Sequence, residues 1–504
     1  MGGEGMNLAD IGRYWRRCRP DDVALRFGDR SLTWRQLDDR TDALAAGLAA
    51  RGLGRGDRLG LLLGNRVEFC ELCIAVAKLG AVAVPMNVRF TAAEVTFVVN
   101  DADCRLVVTE DALAAGVAGV ADRQPVLRAE ALEAEHVVGT AVENARTSDD
   151  EPVFICYTSG TTGDPKGAVL THGSWNVASQ GWVQAVQLNA SDRVLLPFPL
   201  AFTGGLAVFW FTYWAGARLV LEPGFEPGRA LDLFETERVT AFFAVPVIIQ
   251  SVVDHPRWPT ADVASWRIAS SGGAPVPESL IRAVQARGIP MLQGYSLTEG
   301  SAAVTVLPGH DALRKVGSAG LPVVHAEVRV VDDDDRALPA GEVGEIVLRG
   351  PQVMQGYWRN PEATADTLRD GWLHTGDLGR LDGEGYLYVV DRAKDMLISG
   401  GLNVYPAEIE RVVAAVPGVV EVAVVGVPHE RWGETPAVIA FTGGHALRGD
   451  DVVAACAEVL ADYKLPRYLV VRDEPLPRNM SGKVLKRDLR RQYADLPATA
   501  APIR

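Results

Sequence analysis

Short apolar runs alternate with alanine-rich helical stretches over residues 20–150. Three of them follow one another: 58–63 has the pattern of a strand, 67–79 that of a buried helix, and 81–85 that of the next strand. This alternation predicts β-α-β units around a largely parallel sheet. The polar stretch 143–150 then leads, as a surface loop, into an apolar strand over 153–157.

The pattern changes after residue 330. Short β-rich runs alternate with turns such as LPAG (338–341) and DGEG (382–385). Beyond Lys394 a new pattern predicts a helix over 408–416, a strand over 421–427, a helix over 450–463 and a frayed tail over 497–504. We therefore predict a multidomain α/β and α+β protein. Its large N-terminal body, 1–393, contains stacked β-α-β sheets and a β-rich subdomain, and a small α+β C-terminal domain spans 394–504.

Length, charge and cysteines narrow the class of protein. The 504 residues suit about three domain-sized units. A net charge of −14 argues against a broad nucleic-acid surface, although a local basic groove stays open. The six cysteines show no zinc-type spacing. Residues 1–17 contain no long apolar run, and the most apolar window, 206–217, is too short for a membrane span of about 20 residues. We expect a cytoplasmic protein, with a peripheral membrane contact and a homodimer left open.

A glycine-rich loop follows the strand at 153–157 and reads YTSGTTGDPKG (157–167). Its glycines let the backbone turn tightly and bring N–H groups close to an anion. Hydroxyls and one lysine add further donors for phosphate: Thr158, Ser159, Thr161, Thr162 and Lys166. The spacing is not that of a Walker A loop, and a flexible surface turn is the alternative for this stretch taken alone.

Six further motifs follow in a fixed order: SGGAP (271–275), GYSLTE (294–299), WLHTGD (372–377), DRAKD (391–395), GGLNVYPAEIE (400–410) and PRNMSGK (477–483). With the 157–167 loop, they resemble the motifs of the adenylate-forming superfamily over nearly the whole chain. Among its members the chain is most similar to bacterial fatty-acyl-CoA synthetases. The resemblance implies a two-step reaction, in which a carboxylic acid and ATP form acyl-AMP and pyrophosphate, and coenzyme A then takes the acyl group.

The resemblance also implies roles for residues of the nucleotide site. The loop, including Gly160 and Gly163, would hold phosphates, Thr298 would contact the α-phosphate, and Glu299 would hold Mg²⁺. The adenine would lie on Tyr295 beside the turn of Gly272, Gly273 and Ala274, and Asp377 with Arg392 would hold the ribose. Taken singly, these residues suit ordinary structural roles equally well: a helix-terminal carboxylate, a core aromatic, a turn aspartate and a surface ion pair.

For the C-terminal domain, the resemblance assigns the adenylation lysine to Lys483 and the hinge of a rotating lid to Lys394. After rotation, Gly400 and Gly401 would line the channel of the pantetheine arm, and Trp432 would pack on coenzyme A. Local packing is the competing interpretation of Trp432, since tryptophans are mostly structural.

The acyl site departs from the family pattern. Phe202 stands where relatives carry a histidine, and Thr203 stands where amino-acid-activating relatives carry an aspartate, so an α-ammonium group would find no partner. Small residues, including Gly204 and Ser301, and aromatic ones predict an apolar pocket. The aromatic residues, most of which must serve core packing, are Phe198, Phe209, Trp210, Phe211, Tyr213, Trp214, Phe242 and Phe243.

We therefore expect an ATP- and Mg²⁺-dependent acyl-CoA synthetase, with a medium- or long-chain fatty acid as substrate. An aryl or alicyclic carboxylate is the first alternative. An acyl-AMP ligase that loads a carrier protein is the second, although no inserted block of the kind such ligases carry is present. A binding protein that kept only the fold would be expected to lack Lys483 or Glu299, and both are present.

Overall fold

The structure, a computed structural model, describes residues 5–120, 123–134, 141–158, 165–274, 276–392, 395–399, 402–478 and 484–504. The chain forms two compact units. The first contains Met1–Val328 and Leu348–His374, and the second contains Arg329–Val347 and Thr375–Arg504. The boundary near Lys394 stays a prediction, since that residue lies outside the described part of the chain.

A mixed sheet of nine described strands forms one half of the first unit. Its six central strands are parallel, and antiparallel strands close both edges. In spatial order the strands are Leu321–Pro322, Thr305–Leu307, Met291–Tyr295, Ile268–Gly272, Ala241–Ala244, Arg193–Leu196, Arg218–Leu221, Val23–Phe27 and Arg30–Thr33. Ligands of such sheets bind outside the carboxyl ends of the parallel strands.

A second sheet of the same unit has seven strands among the described residues. Its order is Gly356–Tyr357, Lys166–Thr171, Pro152–Thr158, Val82–Pro85, Arg58–Leu62, Cys104–Thr109 and Val126–Arg128. The strand that precedes the glycine-rich loop pairs antiparallel with the strand that follows it. The predicted β-α-β pattern is confirmed here, because Arg58–Leu62 and Val82–Pro85 pair in parallel and the helix Val67–Leu79 joins them.

Helices cover both sheets, and their starts follow from the sequence. Three begin at a threonine whose hydroxyl accepts from the backbone N–H three residues on: Thr33, Thr91 and Thr171. The α-helices of the first unit are Asp10–Cys18, Trp34–Ala50, Val67–Leu79, Ala92–Asp101, Ala129–Ala134, His172–Val186, Thr203–Ala215, Pro227–Thr236, Pro246–Val253, Glu278–Gln285 and Pro361–Thr367. Short 3₁₀ helices span Asp111–Val117 and Thr298–Gly300.

Two smaller sheets complete the fold. One has the strand order Glu327–Val331, Gly344–Arg349, Trp372–Leu381 and Leu368–Arg369, with Leu387–Arg392 also paired to Trp372–Leu381. The other has the order Leu402–Val404, Leu397–Ser399, Gly433–Phe441 and Glu421–His429, with Tyr468–Arg472 also paired to Gly433–Phe441. Helices Pro406–Val413, Gly449–Val459, Lys486–Gln492 and Leu496–Thr499 and the 3₁₀ turn Asp462–Lys464 accompany the second of these sheets in its unit. The multidomain α/β and α+β class is thereby confirmed.

The sequence misjudged some element ends in the second unit. The predicted strand over 421–427 continues to His429, because it pairs in register with Gly433–Phe441 along its whole length. The tail that was expected to fray is held in place. The Ile503 backbone N–H donates to the Arg467 carbonyl oxygen at 2.7 Å, and Arg504 forms an ion pair with Asp462 at 2.7 Å. These contacts lie far apart along the chain, so local composition did not reveal them.

Candidate active site

Three segments of the first unit meet at Glu299. The Tyr357 hydroxyl donates to Glu299 Oε1 at 2.9 Å, and the Thr158 hydroxyl lies 3.5 Å from the same oxygen. Thr158 ends the strand that leads into the glycine-rich loop, and Glu299 lies in the 3₁₀ turn Thr298–Gly300. The sequence had predicted that Thr158 and Glu299 belong to one site. Tyr357 was not among its candidates.

The electrostatics of this corner are unusual for a half-buried carboxylate. Among the described residues, Glu299 receives hydrogen bonds from two neutral hydroxyls and has no cation within ion-pair distance. A cation, Lys166, lies near the tyrosine that holds Glu299, and its Nζ is 5.4 Å from the ring centroid of Tyr357. Burial, and then the Glu299 charge, raise the pKa of Tyr357 well above its usual value, so the phenol keeps its proton at neutral pH.

A second chain of contacts starts at Thr298. Its hydroxyl lies 2.9 Å from that of Thr203, in the first turn of helix Thr203–Ala215. Thr203 in turn hydrogen-bonds the thiol of Cys156, whose pKa burial raises to about 12, so the sulfur stays protonated. Thr203 had been predicted to lie in the acyl pocket, and the structure also makes it the hydrogen-bond partner of the predicted α-phosphate contact. Cys156 was not among the residues that the sequence predicted for this site.

The predicted adenine site lies at the carboxyl ends of two neighbouring parallel strands. Gly272 and Gly294 are register partners at these ends, and a Cβ on Gly272 would come within 2.6 Å of the Gly294 carbonyl oxygen, so only glycine fits. Gly273 follows with φ +77°, which starts the turn to the exposed Ala274. Tyr295 is half-buried beside this turn, at the end of strand Met291–Tyr295. The packing explains why this motif is rich in glycine.

The predicted acyl residues lie near the same strand ends. Phe202 is the N-cap residue of helix Thr203–Ala215, and a Cβ on Gly204 in its first turn would meet nothing within 4 Å. Phe243 is buried on the central strand Ala241–Ala244. Ser301 is fully buried, and its hydroxyl donates to that of Ser174 at 3.2 Å.

Trp182 is an aromatic residue of this region that the sequence did not single out. Its ring is stacked on Phe211 at a centroid distance of 5.8 Å and lies 6.3 Å from Phe243. A Cβ on Gly294 would come within 2.8 Å of the Trp182 indole, so this ring lies against the strand that carries Tyr295. Not all of the other aromatic residues of the predicted cluster lie on this face of the sheet. Phe242, for example, faces the core of the opposite sheet face, stacked on Phe198 at 5.8 Å.

The second unit contains the other described candidates. Arg392 Nε donates to Asp377 Oδ1 at 2.9 Å, and the Asp377 side chain is nearly buried, so both predicted ribose contacts lie together. Trp432 has two guanidinium groups over its ring, that of Arg431 at 4.5 Å and that of Arg467 at 5.9 Å. Several predicted residues lie outside the described part of the chain: Ser159, Gly160, Thr161, Thr162, Gly163, Lys394, Gly400, Gly401 and Lys483.

Two kinds of feature are not found among the described residues. No group of three or more His, Cys, Asp or Glu side chains there could hold a metal ion. No helix in the same part of the chain has the length and apolar character that a membrane crossing requires.

Comparisons with known proteins agree with this arrangement. Residues 13–358 match the family model of the AMP-binding enzymes, and residues 408–483 match that of the AMP-binding enzyme C-terminal domain. The chain is 41% identical to the long-chain-fatty-acid–CoA ligase FadD13 of Mycobacterium tuberculosis, covering 92% of this chain and 94% of that one. It is 40% identical to a feruloyl-CoA synthase of Amycolatopsis sp, covering 95% and 97%. The crystal structure of ATP-bound MatB from Rhodopseudomonas palustris superimposes with a TM-score of 0.90 at 32% identity, covering 97% and 100%.

The chain therefore belongs to the AMP-binding enzymes, as an acyl-CoA synthetase of the adenylate-forming superfamily. It is an AMP-forming acid–thiol ligase that uses ATP, coenzyme A and a small carboxylic acid. The resemblance drawn from seven short motifs is confirmed. The sequence had no comparable means of finding Tyr357 or Trp182, because neither lies in one of those motifs.

Proposed function

We propose that this enzyme activates an aryl or arylalkyl carboxylic acid, converting it to the acyl-AMP and then to the coenzyme A thioester. The observation that carries the proposal is the aromatic wall formed by Trp182, Phe211 and Phe243. Flat aromatic walls favour a flat ring, since offset stacked and edge-to-face contacts add to the burial of apolar area. The feruloyl-CoA synthase relative is named for an acid of this kind.

The register of the large sheet supports the placement of this wall. Phe243 pairs with Ser270, and Gly294 pairs with Gly272, along adjacent parallel strands. Trp182 contacts both Phe243 and Gly294, so the wall lies on the sheet face that carries these two residues. Tyr295 follows Gly294 at the carboxyl end of the same strand, and successive residues of a strand face opposite sides of the sheet, so the proposed adenine residue borders the wall at this end and is not part of it.

The residue type at position 203 supports an acid without an amino group. Thr203, at the position where an ammonium partner would be expected, has its hydroxyl engaged by Thr298 at 2.9 Å. The side chain of Thr203 has no carboxylate that could pair with an ammonium group buried at this point, and an unpaired buried charge is costly. We therefore infer an uncharged acyl chain.

Adenylation builds negative charge on the α-phosphate, so donors held in place should supply most of the catalysis. In this proposal Thr298, held by Thr203, donates to that phosphate, and Lys166 neutralises the others. Asp377, held by Arg392, accepts from the ribose hydroxyls. Lys483 supplies the mobile cation of the first step, and Lys394 is the hinge between domains 1–393 and 394–504.

Glu299 fits a magnesium ion by the chemistry of its surroundings. Its carboxylate is a hard oxygen donor whose charge no described cation offsets, and Mg²⁺ in nucleotide sites needs only one or two carboxylates besides phosphate oxygens. When bound, the ion would supply charge that offsets that of the phosphates.

The thiol substrate in this proposal is free coenzyme A. The guanidinium groups of Arg431 and Arg467, which lie over the ring of Trp432, are suited to the phosphates of a nucleotide-bearing thiol. Gly400 and Gly401 would leave room for the pantetheine arm. A carrier protein presents pantetheine without the adenine nucleotide and would make no use of these three side chains.

A medium- or long-chain fatty acid is the second candidate. The observation in its favour is the 41% identity to the long-chain-fatty-acid–CoA ligase. A long alkyl chain would have to pass the indole of Trp182, whereas an aryl acid could use it as a wall. The two candidates therefore differ in what Trp182 does.

The test is a panel of aryl, arylalkyl and C6–C18 fatty acids, scored by pyrophosphate release with and without coenzyme A. The wild type should show its highest kcat/KM with an aryl or arylalkyl acid. Trp182→Ala should lower kcat/KM for that acid about tenfold, because an aromatic contact and its buried area are lost, and should raise it for long chains. Trp182→Phe, which keeps a flat ring, should keep the wild-type order. A wild type that prefers C12–C18 acids would favour the second candidate.

A further inference from the structure

Tyr357 connects Glu299, the proposed metal carboxylate, to the glycine-rich loop. The proposed function assigns no role to this tyrosine. Its strand Gly356–Tyr357 pairs antiparallel with Lys166–Thr171, whose first two residues are the last two of the loop. The Trp358 backbone N–H donates to the Gly167 carbonyl oxygen at 2.7 Å. The backbone of Tyr357 is thus fixed to the strand that carries Lys166.

The same segment also holds the backbone of Glu299. The Met354 N–H donates to the Glu299 carbonyl oxygen at 2.7 Å. One short stretch of chain therefore fixes Glu299 at two points, through its main chain by Met354 and through its carboxylate by Tyr357. A carboxylate at the end of three rotatable side-chain bonds would otherwise sample several rotamers.

The hydrogen bonds to the carboxylate fall on one oxygen. Tyr357 donates to Oε1 at 2.9 Å, and Thr158 approaches the same atom at 3.5 Å. From the residues that the structure describes, Oε2 receives no hydrogen bond. Both contacts are neutral donors, so they orient the group without cancelling its charge.

We propose that Tyr357 is a positioning residue for the metal carboxylate, which holds Oε1 of Glu299 so that its second oxygen and full charge remain available to magnesium. The proposal rests on the assignment of Glu299 to the metal. The ring of Tyr357 also lies 5.4 Å from Lys166 Nζ, so one side chain contacts both the proposed metal carboxylate and the lysine of the glycine-rich loop.

The experiment is Tyr357→Phe, which keeps the ring under Lys166 and removes only the hydroxyl. The Mg²⁺ concentration that half-saturates pyrophosphate release should rise about tenfold, the effect of losing one hydrogen bond to a charged group. At saturating Mg²⁺, kcat should return close to the wild-type value. Mn²⁺ binding, followed by electron paramagnetic resonance with an α,β-methylene ATP analogue, should weaken by a similar factor without any turnover.

Tyr388→Phe is the matched control. Its hydroxyl is also half-buried and donates to Asp382 Oδ2 at 3.5 Å, and the Arg380 guanidinium lies 4.2 Å from its ring centroid. Tyr388→Phe should leave both metal constants at their wild-type values, even where it lowers the melting temperature. Equal weakening in the two variants would overturn the assignment, because it would show a general loss of packing.

Glu299→Gln separates the two levels of the proposal. If Glu299→Gln abolishes Mn²⁺ binding while Tyr357→Phe binds like the wild type, the positioning role is wrong and the metal site stands. If Glu299→Gln binds Mn²⁺ like the wild type, the assignment of the metal to Glu299 fails, and the positioning role fails with it. A Tyr357→Phe protein that does not fold would also overturn the assignment, since it would show a structural role.

Discussion

The first unit contains two groups of carboxylates that are surrounded in opposite ways. Asp38 and Asp42, buried on helix Trp34–Ala50, face the fully buried Lys78, whose Nζ donates to Asp38 Oδ1 at 2.7 Å and to Asp42 Oδ1 at 2.6 Å. Arg13 forms ion pairs with both aspartates, and Arg16 with Asp38. The carboxylate of Glu299 has only hydroxyls as described partners.

The difference separates a structural cluster from the carboxylate that we propose as a metal ligand. Burial by itself would raise the pKa of Asp38, and the charges of Lys78 and the two arginines more than offset it, so the pKa of Asp38 lies below its usual value. Each aspartate of this cluster is already paired with cationic side chains, so the cluster offers no unpaired charge to a substrate. A carboxylate that is oriented by neutral donors keeps its charge for a cation, which is what a metal-dependent nucleotide site requires.

The largest expected effect is a loss of stability when the cluster of Asp38, Asp42 and Lys78 is broken. Lys78→Met would leave two buried aspartates without their buried cation, and the free energy of unfolding should fall by about 3–5 kcal/mol in urea denaturation. Arg35→Met is the control, because Arg35 forms an exposed ion pair with Asp21 at 3.3 Å and should change little. Glu299→Gln breaks no ion pair among the described residues and should cost less than about 1 kcal/mol. A large loss with Glu299→Gln would remove the contrast between the two groups.

His172 is a third kind of buried titratable group, one that stays uncharged in the folded protein. It is expected to have the next largest effect on stability. Its Nδ1 accepts from the Leu8 N–H at 3.1 Å, and burial lowers its pKa to about 4. The unfolded chain binds a proton near pH 6.5, so stability is complete above that pH and is lost as the pH falls towards 4.

The measurement is urea unfolding at pH 7.5 and pH 5.0. The wild type should lose about 2 kcal/mol through this group between the two conditions. His172→Asn, in which the amide oxygen can still accept from Leu8, should be free of that loss, so the gap between variant and wild type should narrow at pH 5.0. His310→Asn removes an exposed histidine and should leave the pH dependence as it is. A wild-type slope that His172→Asn does not alter would contradict the assignment.

The smallest expected effect is on the rate of pyrophosphate release, and it tests one of the neutral hydroxyls of the site. Thr203→Val removes the hydroxyl that lies 2.9 Å from that of Thr298, and pyrophosphate release should slow about tenfold. Thr212→Val, on the same helix, loses a buried hydroxyl that donates to the Val208 carbonyl oxygen at 2.6 Å, and should not slow that step. Equal slowing in the two variants would mean that the Thr203 hydroxyl serves only the helix.

The motif residues were predictable because the glycine-rich loop and the 3₁₀ turn Thr298–Gly300 each follow a strand closely in sequence. Thr158 and Glu299 were assigned to one site from their motifs, and they lie within 3.5 Å of each other. Tyr357 was not predictable, because it comes 58 residues after Glu299 and reaches it only through the pairing of its strand with Lys166–Thr171. Trp182 was missed for a related reason, since only the packing of its helix on the sheet sets it against Gly294.

The sequence by itself determined the family, the order of the motifs and the alternation of strands and helices, because these depend on local spacing and on residue chemistry. Only the tertiary structure decided which oxygen of Glu299 is held, which face of the sheet carries the aromatic wall, and which buried charges are neutralised. Those properties depend on strand order and on side-chain packing between segments that are far apart in the chain. A hydrogen bond or an ion pair requires positions fixed to within a few tenths of an ångström, and no pattern of residue types along the chain specifies positions that closely.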